Sequence, residues 1–119
     1  PFKGDKFFFP GAKPLNLRNV MLNGGLSLKK YSHIILMVGT NLIERQHQHV
    51  QPDTTLLVNT LREAYPTARH IAIASILPRP RDFKKPRWKV KEANGRLKKI
   101  KGLDYINVQR KIHKVWTAN

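Results

Sequence analysis

Residues 33–42, HIILMVGTNL, decide the fold class of this 119-residue chain. Six mostly apolar residues run without a charge into Gly39, Thr40 and Asn41. A continuous apolar run of this length predicts a buried strand of a parallel sheet, because such strands are covered on both faces and do not alternate between polar and apolar residues. The small polar residues that follow predict a strand ending at an exposed edge.

The remainder of the chain alternates between strand and helix patterns. Strands are predicted over residues 7–9, 70–77 and 104–108, and helices over residues 15–22, 52–64 and 89–100. Strands that alternate with helices favour a parallel sheet with helices on both faces. We therefore predict an α/β domain, a three-layer α/β/α sandwich around a mainly parallel sheet.

Polar groups are expected to gather at the carboxyl ends of these strands, where ligands of open parallel sheets bind. The amide of Asn41 and a backbone N–H near Gly11 are donors that could converge there. Fixed donors of this kind suit an oxyanion hole, where each hydrogen bond can contribute ~3 kcal/mol to a transition state. The alternative interpretation is that Gly39, Thr40 and Asn41 form only a polar turn.

Composition excludes several classes of protein. With no cysteine there is no disulfide, thiolate nucleophile or cysteine zinc site, and an intracellular compartment is favoured. No uncharged apolar run reaches the ~18 residues of a membrane-spanning helix, and residues 1–5 lack the apolar core of a signal peptide. The length predicts a single domain over residues 1–119, and no cofactor is predicted.

Charge is the strongest compositional signal. The chain carries 23 Lys and Arg against 7 Asp and Glu, a net charge of +16. Residues 79–114 hold 14 basic and 3 acidic residues, so this basic segment contributes +11 of that charge. An excess of this size attracts polyanions whatever the fold.

The basic segment therefore supports a second class of function, the binding of nucleic acid. Its cations alternate with aromatic rings, as in proteins that pair phosphates and stack unpaired bases. The candidate nucleic-acid-binding residues are Arg79, Arg81, Lys84, Lys85, Arg87 and Trp88. The alternative is a solvated helix face whose rings pack into the core.

Four sequence blocks together resemble a known family. They are FFFPGAKPLNL (7–17), YSHIILMVGTNL (31–42), HIAIASILPRPRDF (70–83) and GLDYINV (102–108). Over roughly residues 6 to 108 they resemble the SGNH, or GDSL-type, hydrolases, in particular the esterase-like domains of some non-LTR retrotransposons. The resemblance implies a flavodoxin-like fold, an ester substrate and an oxyanion hole in which Gly11 and Asn41 donate.

The same resemblance implies a nucleophile and a base that are missing. The family's nucleophile is the serine of a Gly-Asp-Ser motif after its first strand, whereas Gly4-Asp5-Lys6 has lysine there and lies too close to residues 10–12. The family's base is a histidine three residues after an aspartate, but Arg110 stands three residues before His113. We expect a chain that is truncated or degenerate at both ends, lacks the family's first strand and is catalytically incompetent as it stands.

His47, His49 and Glu44 form only a weak metal-ligand pattern without a convincing further ligand, so no metal site is predicted.

A sheet without its first strand leaves backbone donors and acceptors unpaired. This predicts marginal stability or a rearranged sheet, and self-association through the unpaired edge. A monomer with ordinary stability would contradict this expectation.

Overall fold

The computed structural model describes residues 5, 7, 9, 12–77 and 87–108 of the chain. Within them α-helices and β-strands follow one another along the chain. In order they are α1 (Pro14–Leu22), β1 (His33–Leu36), α2 (Ile43–Gln46), α3 (Val50–Ala64), β2 (His70–Ala74), α4 (Arg87–Leu97) and β3 (Asp104–Ile106). Single turns of 3-10 helix, Thr40–Leu42 and His47–His49, flank α2.

The three described strands form one parallel sheet in the order β1-β2-β3. His33 lies opposite His70, and Ala72 lies opposite Asp104, so the strands start and end at common edges. Each crossover between them includes a helix, α3 between β1 and β2 and α4 between β2 and β3. The predicted α/β class and the parallel sheet are confirmed.

Apolar spacing explains the two long helices that cover the sheet. In α3, Leu57, Val58 and Leu61 recur along one side and are 0%, 1% and 0% exposed. In α4, Val90 and Leu97 lie on one side and are 3% and 0% exposed. Both helices contribute to one apolar core together with β1 and β2. Helix α3 packs against both α1 and α4, so the three helices form one layer.

Among the described residues, the sheet has one covered face and one face that is largely open, although Ala74 on the open face is buried. The covered face, formed by Ile34, Leu36, Ile71 and Ile73, lies in the core with the helices. The open face carries exposed side chains, namely His33, Ile35, Met37 and His70. Across the described residues the helices therefore supply one layer beside the sheet, and the third layer of an α/β/α sandwich stays a prediction.

The strand predicted over residues 7–9 is absent where it can be observed. Phe7 and Phe9 both lie outside the sheet, and the Ala12 N–H donates to the Phe9 carbonyl at 3.0 Å. The Phe7 ring instead makes an edge-on contact with Tyr31, with ring centroids 6.1 Å apart. Phe7 and Phe9 were therefore wrongly assigned to a strand, and Phe8 lies outside the described residues.

The sequence also predicts an unpaired sheet edge and excludes a membrane-spanning helix. Among the described residues β1 pairs with β2 alone, which leaves one side of β1 as a sheet edge. Association through that edge stays a prediction. None of the described helices combines the length and the apolar character that crossing a membrane requires.

Candidate functional site

The carboxyl edge of the sheet gathers the residues that follow all three strands. Residues 37–41 follow β1, residues 75–77 follow β2, and Asn107 follows β3. Because the strands are parallel, these segments lie at the same edge. Asn41 therefore lies at the carboxyl edge of the sheet, where the sequence predicts ligand binding.

Gly39 sets the direction in which the chain leaves β1. Its φ is +104°, a left-handed conformation that side chains rarely adopt. A Cβ on Gly39 would also lie 3.0 Å from Ile76 Cδ1 and 3.3 Å from Val50 Cγ1. Glycine is required here for both reasons, and the following turn closes with the Leu42 N–H donating to the Gly39 carbonyl at 3.0 Å.

Asn41 lies on the exposed side of this turn, while its neighbour Leu42 is buried. Its Nδ2 lies 3.5 Å from the Ala12 carbonyl oxygen, which is a long hydrogen bond. Asn41 is therefore close to the segment that follows Gly11, the other donor expected from the resemblance. Gly11 itself lies outside the described residues.

The serines of the chain are placed away from Asn41 or are already engaged. Ser32 Oγ lies 2.9 Å from His33 Nδ1 at the start of β1, which is the amino edge of the sheet. Ser75 is buried, and its Oγ accepts a hydrogen bond from the Val108 N–H at 3.0 Å. Ser27 is exposed before β1. The described residues bring no serine and histidine together beside Asn41.

The histidines do not build a metal centre in the part of the chain that the structure describes. His47 Nε2 lies 3.7 Å from a carboxylate oxygen of Glu92, and its ring makes a T-shaped contact with the Trp88 ring, with centroids 5.0 Å apart. His33 and His70 stack at 4.4 Å on the open face. His47 thus belongs to a contact with α4 that the sequence did not reveal.

Asn94 is a structural residue that the sequence interpretation missed. Its Oδ1 accepts a hydrogen bond from the Ile76 N–H at 2.7 Å, and its Nδ2 donates to the Ile76 carbonyl at 3.0 Å. The side chain thus satisfies both backbone groups of a residue just beyond β2, as a neighbouring strand would. Asn94 fixes α4 against the carboxyl edge of the sheet.

An open groove of about 390 Å³ lies between the start of α4 and the end of β3. Its lining combines aromatic, cationic and amide side chains, and consists of Arg87, Trp88, Val90, Lys91, Asn94, Tyr105 and Asn107. Trp88 is 57% exposed, a large exposed fraction for an indole. Arg87 and Trp88, two of the predicted nucleic-acid-binding residues, therefore meet in one concave surface.

The charge around this groove is positive. Glu92, the acidic residue of α4, is paired with Arg96 at 2.7 Å and lies near His47. Arg87 and Lys91 have no such partner within the described ranges and remain available to an anion. The other predicted binding residues, Arg79, Arg81, Lys84 and Lys85, lie outside the described residues.

Tyr105 forms the side of the groove that belongs to β3. Burial raises the pKa of its phenol above the ordinary value of 10.0, and a hydrogen bond with Ser75 opposes part of that rise. The phenol therefore stays neutral at physiological pH. It presents to the groove a ring and a hydroxyl without negative charge.

Comparison of the chain with protein-family models, with curated proteins and with solved structures finds no match. The functional interpretation therefore depends on the geometry of the carboxyl edge and on the charge of the chain.

Proposed function

We propose that this chain is an α/β domain of the SGNH-hydrolase type, in which Asn41 is an oxyanion donor of an ester-hydrolase site. The observation that carries this proposal is the position of Asn41 at the carboxyl edge, with its Nδ2 3.5 Å from the carbonyl of Ala12. An amide N–H held at this edge can stabilise the negative charge that develops on a carbonyl oxygen during acyl transfer, and the resemblance implies a second donor from the backbone of Gly11, outside the described residues.

Ester hydrolysis also needs groups that attack the ester and transfer protons. Donors alone do not form or break an acyl bond, because a nucleophile and a base are also needed. Ser75 is buried and hydrogen-bonded, and Ser32 lies at the opposite edge of the sheet. We therefore propose that the 119 residues alone are inactive, and that a nucleophile and a base reach Asn41 only from additional sequence.

A chain extended by its flanking coding sequence provides the test. If that sequence supplies Gly-Asp-Ser upstream and Asp-x-x-His downstream, the extended protein should hydrolyse a short-chain aryl ester. Asn41→Ala should then lower kcat about 100-fold or more, as expected for the loss of an oxyanion donor. Asn59→Ala, on the exposed side of α3, is the matched control and should retain full activity. An extended protein with both motifs and no esterase activity would refute the proposal.

A second function is proposed because the groove beside α4 favours it. There, Arg87 and Lys91 have no acidic partner among the described residues and flank the exposed Trp88. Cations of this kind bind phosphates and release counterions, so the affinity for a polyanion should fall steeply as salt is raised. We propose that this surface binds nucleic acid, whether or not the oxyanion edge is catalytic.

A pair of double variants tests the second function. Replacing Arg87 and Lys91 by alanine should weaken the binding of an oligonucleotide and reduce the slope of log affinity against log salt by about 1.5. The matched control replaces Arg69 and Lys29, an arginine and a lysine exposed near the amino edge of the sheet. Equal losses from both pairs, or no binding at low salt, would contradict a groove-centred interface.

A further inference from the structure

We propose that the groove between α4 and β3 holds an unpaired nucleobase stacked on Trp88, so that the domain prefers single-stranded over double-stranded nucleic acid. This inference rests on the second proposed function and assigns its partner. It differs from general polyanion binding, because charge alone does not distinguish paired from unpaired bases.

The groove is suited to a flat aromatic ligand. It is open to solvent and has a volume of about 390 Å³. The Trp88 ring and the half-buried Tyr105 both line it, and the apolar side chain of Val90 contributes as well. A base that enters this groove would cover apolar surface that is now in contact with water.

Trp88 is exposed and yet held in position. The His47 ring contacts it in an edge-on arrangement at 5.0 Å, and Lys89 Nζ lies 5.8 Å from its ring centroid. Lys89 is fixed in turn because its ammonium donates to the Glu44 carbonyl at 2.6 Å. An exposed ring supported in this way can stack on a base with little further loss of side-chain freedom.

The polar groups of the groove predict tolerance of base identity. Asn94 would be suited to reading the edge of a base, but its Oδ1 and Nδ2 are already used by the backbone of Ile76. Asn94 is therefore not available to a base, and we expect stacking and the cations Arg87 and Lys91 to dominate recognition. Stacking accepts every base, because each has a π-face.

Tryptophan fluorescence provides a direct experiment. The chain has two tryptophans, so Trp116→Phe leaves Trp88 as the only fluorescent indole. In this background, oligothymidylate should quench Trp88 emission, whereas heparin, a polyanion without bases, should bind without quenching. A duplex of the same length should bind about tenfold more weakly than the single strand.

Substitution of Trp88 separates stacking from charge. Trp88→Ala should weaken oligothymidylate binding about tenfold or more and leave heparin affinity unchanged, whereas Trp88→Phe should retain most of the affinity. Phe7→Ala removes an aromatic ring that is 49% exposed outside the groove, and should have no effect on either ligand. Circular dichroism of each variant verifies that the fold is kept.

The outcomes distinguish this inference from the function on which it rests. Oligothymidylate binding that leaves Trp88 emission unchanged and survives Trp88→Ala would overturn base stacking, while polyanion binding would still hold. Equal affinity for the single strand and the duplex would overturn it as well. No binding of oligothymidylate or heparin at low salt would refute both.

Discussion

The two faces of the sheet are built from the same three strands but have opposite surroundings. On the covered face Ile73 is 0% exposed and packs beneath the helical layer, whereas Ile35 on the open face is 40% exposed. Both residues are apolar, and both lie within apolar runs. The difference shows that the composition of a strand limits what it can bury, while the packing of the helices decides what it does bury.

The largest expected effect tests this difference directly. Ile73→Ala should lower the free energy of unfolding by about 3 kcal/mol, because it leaves a cavity in a packed core. Ile35→Ala should cost about 1 kcal/mol or less, since its side chain is already in contact with water. Urea unfolding of both variants measures the two values. Equal costs would show that the open face is covered in solution.

The next effect concerns the attachment of α4 to the sheet. Asn94→Ala removes both hydrogen bonds to the backbone of Ile76, which should cost about 2 kcal/mol because buried groups are left without partners. Asn59→Ala on the exposed side of α3 should change stability by less than about 0.5 kcal/mol. Thermal or urea unfolding is the measurement. If both variants were equally stable, the two hydrogen bonds would contribute nothing net to folding.

A gain in stability is expected within the helical layer itself. Thr54 is 0% exposed, and its hydroxyl has no hydrogen-bond partner among the described residues. Thr54→Val keeps the shape and removes the unsatisfied group, so it should stabilise the domain by about 1 kcal/mol.

Thr60→Val is the matched control for this substitution. The Thr60 hydroxyl donates to the Leu56 carbonyl at 3.0 Å and accepts from Arg18 Nε at 2.9 Å. Its removal should therefore destabilise the domain by about 1 kcal/mol. A loss of stability in Thr54→Val would show that its hydroxyl is satisfied in solution.

The smallest effect concerns the β3 end of the covered face, where Tyr105 is in register with Ile73. Because burial raises its pKa in the folded state, its contribution to stability is fully present below pH 10 and is lost as the pH rises through the folded pKa. Tyr105→Phe should therefore flatten the alkaline decline in stability. A spectroscopic pH titration of both proteins provides the measurement. The phenolate absorbance that is present in the parent protein and missing in Tyr105→Phe should appear with a pKa above 10.0.

The sequence predicted the elements with strong periodicity. The strand predicted over residues 33–38 is observed over His33–Leu36, and α3 starts at Val50 where the helix was predicted from residue 52. Their signals are local, because a continuous apolar run and a 3.6-residue repeat can be recognised without knowing the neighbouring elements. The aromatic run of Phe7 to Phe9 has equally strong strand propensity, but no described strand pairs with it.

The site was less predictable, because its contacts join distant parts of the chain. Asn94 lies within the helix predicted over residues 89–100, where nothing local marks its role, because its partner Ile76 lies 18 residues earlier. Likewise, His47 meets Trp88 across the fold. The position of Asn41 at the carboxyl edge was predictable because it follows from strand direction alone, and the cationic surroundings of Trp88 because charge and aromatic composition are visible in a local window; the roles of both residues stay predictions.

The sheet has its strands in the same order as they occur along the chain. During synthesis β2 can add to the free side of β1 once α3 has emerged, and β3 can then add to β2. Among the three described strands none has to be inserted between two that are already paired, and each addition closes one crossover at a time. The described domain can therefore assemble vectorially, with α4 and the groove completed after the β1-α3-β2 unit has formed.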